Sequence, residues 1–275
     1  MRTKKQTPQW QAIGQSVRGA IHERSGRPNQ DAIRWLPESG CTPLLVVAVA
    51  DGHGSVRYSR SHIGAQLAVE KSAELIHEFL VTHANEDNLS LVKHLAHDWL
   101  PGTLVRNWQK AVAEHVTAHP LSQSDNSDEI SIAYGATIIA VGVTAKFVIY
   151  LQLGDGDILT VDENGEVSRP LPGDDRLFAN ETTSLCAPEA WRDFRVNFQP
   201  LSHSRPALIL LATDGYPNSF RDDSGFLKVG SDLLRMIKQD GLSSVEKNLG
   251  GWLLDSTQAG SGDDVTVGML YCVND

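Results

Sequence analysis

The sequence predicts an α+β protein with an antiparallel two-layer β core and helices outside it. Three observations lead there. Short β-branched runs gather in three regions of the chain, and helical periodicity comes in blocks between them. Helices and strands also fail to alternate one for one, which disfavours a doubly wound parallel sheet. A length of 275 residues fits a single domain spanning 1–275 with ample core.

Taken in chain order, Leu44–Ala50 is continuously apolar and suits a strand buried on both faces. From Tyr58 to His83, Ile63, Leu67, Ile76, Phe79 and Leu80 fall mostly on one helical face. Leu89–His119 is also helix-like, with a break or kink expected at Pro101-Gly102. Ser122–Asp128 is polar and reads as a surface loop. Ala136–Val143, Lys146–Leu153 and Asp157–Val161 are β-rich runs split by Thr144-Ala145 and Gly154-Asp155-Gly156, the punctuation of an antiparallel meander. Pro170–Ala190 is irregular, and loops of that length are often functional. Phe194–Phe198, Ala207–Ala212 and Val265–Val273 read as further strands. Ser243 and Glu246 offer a capping box to a helix carrying Val245, Leu249, Trp252 and Leu253.

Composition removes several function classes. Lys and Arg number 24 against 34 Asp and Glu, a net charge of −10, whereas a duplex nucleic-acid binder needs a basic face. The longest apolar runs fall far short of the ~20 residues of a membrane span. No apolar stretch follows Lys4 and Lys5, so no secretory signal is expected. Cys41, Cys186 and Cys272 are odd in number and far apart, which argues for reduced packing residues over a disulfide framework or a zinc site. A cytoplasmic protein is the consistent expectation.

The chemistry emerges from what borders each strand. Asn29-Gln30-Asp31 opens into Ala32-Ile33, and Val49-Ala50 runs into Asp51-Gly52-His53-Gly54. Leu153 precedes Gly154-Asp155-Gly156, Ala212-Thr213 precedes Asp214-Gly215, and Gly262-Asp263-Asp264 precedes Val265. Singly, each Asp reads as a turn or cap residue. Five of them suggest convergence at one end of a sandwich. Two carboxylates ~4 Å apart repel by about 4 kcal/mol at an effective dielectric near 20, so a cleft holding four or five calls for cations. Carboxylate oxygens without Cys select hard ions: magnesium, manganese or calcium. Gly52, lacking a Cβ, lets its carbonyl approach an ion and can take positive φ. No EF-hand string, P-loop, GxSxG elbow or HExxH occurs.

In order and spacing these segments resemble the type 2C metal-dependent serine/threonine protein phosphatases. The likeness rests on Asn29-Gln30-Asp31-Ala32, Ala50-Asp51-Gly52-His53-Gly54, Tyr134-Gly135-Ala136-Thr137, Gly154-Asp155, Thr213-Asp214-Gly215 and Asp263-Asp264-Val265-Thr266-Val267. The resemblance implies a four-layer α-β-β-α sandwich and a two-metal centre (Mn2+ or Mg2+) at one end, as in a divergent bacterial-type member. It implies that Asp51 bridges both ions, with the Gly52 carbonyl and Asp31, directly or through water, on one side. Asp214 and Asp263 are implied as ligands of the other ion. Asp263 is preferred to Asp264, which stands where the family usually has Asn. Asp155 resembles the residue that, with the Asp214 position, holds a weaker third ion.

The implied reaction is hydrolysis of phosphoserine or phosphothreonine by a metal-activated water, with His53 as general acid to the leaving alkoxide. Many members carry an Arg five residues before the first Asp. That position is Gly26 here, which leaves Arg27, Arg24 and His22 as phosphate-binding candidates. Implied partners are phosphorylated proteins in a signalling pair with a Ser/Thr kinase, acted on by a monomer without nucleic acid or membrane. Two alternatives stay open: a pseudophosphatase serving as a regulatory binding module, and a hydrolase of small phosphoesters.

Overall fold

The computed structural model describes residues 7–120, 127–173, 183–202 and 204–273. Ten strands form two five-stranded antiparallel sheets. The first has the order β1 (Gln9–Val17), β10 (Val265–Val273), β9 (Leu208–Ala212), β6 (Asp157–Val161) and β7 (Val167–Ser168). The second runs β2 (Asp31–Leu36), β3 (Leu45–Asp51), β4 (Ile138–Val143), β5 (Phe147–Leu153) and β8 (Arg195–Pro200). Their facing surfaces bury Trp10, Val47, Val49, Ile139, Val141, Tyr150, Ile209 and Leu211. β3, β4, β5 and β9 are buried along nearly their whole length, which accounts for their continuous apolar runs.

Helices cover both outer faces. α2 (Ser61–His83), α3 (Leu89–Asp98) and α4 (Leu100–Ala118) enclose the second sheet through Ile76, Leu80, Leu104 and Trp108. α6 (Asp223–Asp240) and α7 (Leu242–Ala259) enclose the first through Phe226, Leu233, Leu234, Leu249 and Leu253. The result is the expected four-layer sandwich. Two short helices complete it, α1 (Ala20–Ser25) and α5 (Ser127–Ala133). No helix of the described residues is long and apolar enough to cross a membrane.

Several local expectations need revision. The β-rich stretch from 136 to 161 is not one meander. β4 pairs with β5, but β6 leaves that sheet and pairs with β9 in the other. The chain crosses between sheets at Gly154–Gly156, where Gly154 takes φ +110°. Pro101 does not interrupt a helix; the break is at Trp99, and Pro101 occupies the first turn of α4, where a missing N–H costs nothing. No capping box forms at α7, because Gly241 at φ 84° takes the cap position and the helix starts at Leu242. Ser127 and Asp128 belong to α5; the rest of that expected loop, 122–126, lies outside the described residues. Of Pro170–Ala190, positions 174–182 lie outside them too, while Leu185 is buried and donates its N–H to the Ala136 carbonyl. Among the described residues no disulfide forms, and Cys41 is exposed rather than packed.

Candidate metal centre

Antiparallel pairing brings the acidic residues to one end of the sandwich. Asp31 opens β2 and Asp51 closes β3, and the two are register partners. β4 starts, β5 ends, β6 starts, β9 ends and β10 starts at that same edge. Asp155 therefore lies in the β5–β6 crossing, Asp214 two residues past β9, and Asp263-Asp264 immediately before β10.

Each backbone position is held by neighbours. The Asp51 N–H donates to Thr137 Oγ1 at 3.0 Å, and the Thr137 N–H returns a bond to the Asp51 carbonyl at 2.8 Å. Thr213 Oγ1 donates to Asp31 Oδ2 at 2.7 Å, tying the first sheet to the second. The Asp31 N–H donates to Asn29 Oδ1, and Asn29 Nδ2 donates to Ser16 Oγ. Gly52 is buried, and a Cβ there would lie 2.6 Å from the Ser61 backbone and 2.8 Å from the Gln30 carbonyl. Its φ is not positive, so close approach and not conformational freedom explains the glycine.

Charge is crowded at this edge. Burial holds Asp31 and Asp51 well above the usual carboxylate range. The charges of Asp264 and Asp214 add to that at Asp31, and those of Asp31, Asp214, Asp263 and Asp155 add to it at Asp51. Asp214 is pushed up to about 6, first by burial and then by Asp155 and Asp263, and its carboxyl lies within hydrogen-bonding reach of Asp51. Carboxylates from both sheets are thus forced together. Such a set accepts hydrogen bonds or cations and little else. Gln30 adds a buried Oε1 with no partner among the described residues, while its Nε2 donates to Ser61 Oγ. An all-oxygen donor set with an orphaned carbonyl beside it fits hard divalent ions.

The remaining candidates surround this set. His53 is half-buried and follows Gly52. Its N–H donates to the Gly135 carbonyl, its ring stands 4.7 Å from that of Tyr58, and burial lowers its basicity. A Cβ at Gly135 would strike both rings, so this glycine shapes the histidine's seat. Arg27 is exposed and donates from Nη1 to the Gly54 carbonyl at 2.9 Å, which places its guanidinium over the Asp51–Gly54 loop. Arg24 is exposed on α1. His22 is buried, with Nδ1 2.8 Å from Asp264 Oδ2.

A tighter cluster also occurs here. Single ligand atoms of His22, Asp263 and Asp264 lie within 4.8 Å of one another. Asp264 is nonetheless spent on the protein itself: it accepts from Gly19 N at 2.6 Å, Gln30 N at 2.6 Å and the His22 ring. Asp263 beside it is exposed, so of the pair Asp263 has the carboxylate open to an ion. Sequence reasoning missed Ser61 and gave no supporting role to Thr137, Thr213 and Asp264, although all three stand in the segments that carry the likeness.

A family model described as protein phosphatase 2C matches residues 18–254. The chain belongs to the protein phosphatase 2C family. Solved serine/threonine phosphatases share its fold at low identity. The catalytic domain of the serine/threonine phosphatase PstP, crystallised with two manganese ions, is 17% identical over 98% of this chain and 100% of that one, with a TM-score of 0.58. Stp1 of Staphylococcus aureus is 14% identical over 100% and 99%, TM-score 0.62. The S. agalactiae serine/threonine phosphatase is 19% identical over 95% and 99%, TM-score 0.59. No curated protein matches in sequence.

Crowded carboxylates make a prediction about metal and pH. Asp31, Asp51 and Asp214 hold protons more readily folded than unfolded, so the metal-free fold loses stability as pH rises through the carboxylate range to about 6 and above. A divalent cation held there would relieve the repulsion of the ionised groups. The rise in melting temperature on adding Mn2+ to chelator-treated protein is therefore expected to be larger at pH 8 than at pH 5. Equal shifts at the two pH values would contradict a carboxylate-built ion site.

Proposed function

We infer that this phosphatase 2C domain hydrolyses phosphoserine and phosphothreonine on proteins with two Mn2+ or Mg2+ ions. The observation that carries the reading is the meeting of Asp31, Asp51, Asp155, Asp214 and Asp263 from both sheets at one edge, with burial and mutual repulsion raising the basicity of the inner three. Asp51, Asp31 and the Gly52 carbonyl would hold one ion, Asp51, Asp214 and Asp263 the other. Asp155 with Asp214 would hold a weaker third. Bound in pairs, such ions acidify water and neutralise a phosphoryl group.

The chain's own residues have separate tasks in this reading. Thr137 and Thr213 fix the inner carboxylates through the bonds described above. His53, its basicity lowered by burial, is placed beside the Asp51-Gly52 pair to protonate a leaving Ser or Thr oxygen. Arg27, Arg24 and His22, on α1 and the loop before β2, are the candidates to donate hydrogen bonds to phosphoryl oxygens. Family membership supports a phosphorylated protein as substrate, and a Ser/Thr kinase is its proposed counterpart.

The test is release of phosphate from a phosphothreonine peptide and from a small aryl phosphate, each with Mn2+ and with chelator. Mn2+-dependent turnover favouring the peptide is the expected result. No turnover of either would leave a binding module, and preference for small phosphoesters would change the substrate class.

A further inference from the structure

When a phosphorylated Ser or Thr is hydrolysed, the leaving oxygen is the peptide's own, so the peptide chain lies on the side where that oxygen receives its proton. His53 marks that side. Its ring packs against Tyr58 with ring centres 4.7 Å apart, and Arg57 Cζ stands 4.9 Å from the centre of the same Tyr58 ring. Both rings rest on Gly135, where a Cβ would lie 2.7 Å from Tyr58 and 2.9 Å from His53. The row thus leads outward from the general-acid candidate and ends on a cation.

The backbone keeps this row in place. The Tyr58 N–H donates to the Ser55 carbonyl at 2.9 Å, closing a turn with Val56 and Arg57 at its tip. The base of the loop is held by the His53 backbone N–H, which donates to the Gly135 carbonyl, and by the Gly54 carbonyl, which accepts from Arg27. The tip stands clear of the body: Val56 is 88% exposed, and Arg57 is exposed beside it. Among the described residues the Arg57 side chain forms no hydrogen bond or ion pair, and Tyr58 offers it only a ring face. A guanidinium over a ring keeps its N–H fork available to a carboxylate. On a chain of net charge −10, beside the aspartates of the metal centre, such a cation decides where an acidic partner can approach.

We propose that Arg57 is a specificity-determining residue that takes the carboxylate of a substrate Asp or Glu lying within about three residues of the phosphorylated Ser or Thr, the length of extended chain, at ~3.3 Å per residue, that covers the row outward from His53. The proposal deepens the protein-phosphatase reading and rests on it. It assigns Arg57 to the peptide and not to the phosphoryl group, because the Tyr58 ring stands between the guanidinium and His53.

The experiment gives Mn2+-loaded protein phosphothreonine peptides carrying Asp, Gln or Lys two residues before or after the phosphorylated position, with an aryl phosphate alongside. In one of the two placements kcat/KM should favour Asp over Lys by about tenfold at low salt, and the advantage should shrink at high ionic strength. Arg57→Gln should remove the preference and Arg57→Glu should reverse it, while turnover of the aryl phosphate, which has no peptide, stays within twofold of the parent. A preference that survives Arg57→Gln overturns the proposal. So does an equal loss on peptide and aryl phosphate, which would make the guanidinium a phosphate contact or a support for His53. Binding of the same peptides with a non-hydrolysable phosphonate in place of the phosphate, read by fluorescence anisotropy, separates this proposal from the hydrolase reading. An inactive parent whose peptide binding still follows the charge at position 57 would refute turnover and leave the peptide contact standing. Phosphonate peptides bound alike by the parent and by Arg57→Glu would overturn the contact, whatever the turnover.

Discussion

Asp51→Asn is expected to reduce turnover at saturating Mn2+ by roughly a thousandfold or more, because an ion pair stabilises the transferring group by several kcal/mol and this carboxylate stands between the others. Burial raises its basicity first, and the charges of Asp31, Asp214, Asp263 and Asp155 add to that. The same substitution should have the opposite sign on the metal-free fold. Removing one charge from a crowded edge relieves repulsion, so the chelator-treated variant should melt no lower than the parent. Its Mn2+-induced rise in melting temperature should shrink. Turnover and melting curves with and without Mn2+ check both halves, and near-parental activity would remove Asp51 from the centre. Asp214→Asn should behave alike.

The second large effect concerns packing. Gly64→Ala is expected to destabilise the fold by about 3 kcal/mol, the upper end for overpacking, and to lower the melting temperature by roughly 6–12 °C. Alanine is intrinsically better than glycine inside a helix by about 1 kcal/mol. Here that preference loses, because a Cβ at Gly64 would run into the backbone carbonyl of Tyr134. Neither side can yield easily. Trp108 Nε1 donates to the Gly64 carbonyl at 3.0 Å, and Tyr134 leads through Gly135 to Thr137, which anchors Asp51. Gly251→Ala on the exposed face of α7, where nothing lies within 4 Å, should instead stabilise slightly. If both substitutions had the same sign, close approach of α2 to the 134–137 segment would not be the cause.

Much of the fold could be read from the chain because its central strands are buried on both faces. β3, β5, β9 and β10 are long apolar runs that end at Gly and Asp, and their limits fell within a residue or so of those expected. β1 passed unnoticed, since Gln9, Gln11, Gln15 and Ser16 interrupt its apolar residues on a strand with only one sheet neighbour. α6 was equally overlooked, although Phe226, Gly230, Leu233, Leu234 and Ile237 sit on one buried face; Gly225 and Gly230 weakened its helical character. The switch of β6 to the other sheet was invisible because a Gly-Asp-Gly turn looks the same whether the chain folds back or crosses over.

At the site, the order of strand-end aspartates was legible, and convergence followed from antiparallel pairing. The division of labour between Asp263 and Asp264 was only suggested by resemblance. Its physical basis, three hydrogen bonds from residues 234 to 245 positions away, belongs to tertiary structure. Nothing local to Val265 announces a partner in α1.

The passage of the chain from β5 into β6 at Gly154–Gly156 works as a covalent seam between the two halves of the sandwich. The chain returns from β8 to β9 at the opposite rim, so the halves are stitched at both ends. The spacing of carboxylates drawn from both halves is thereby held by a frame that is closed at each rim.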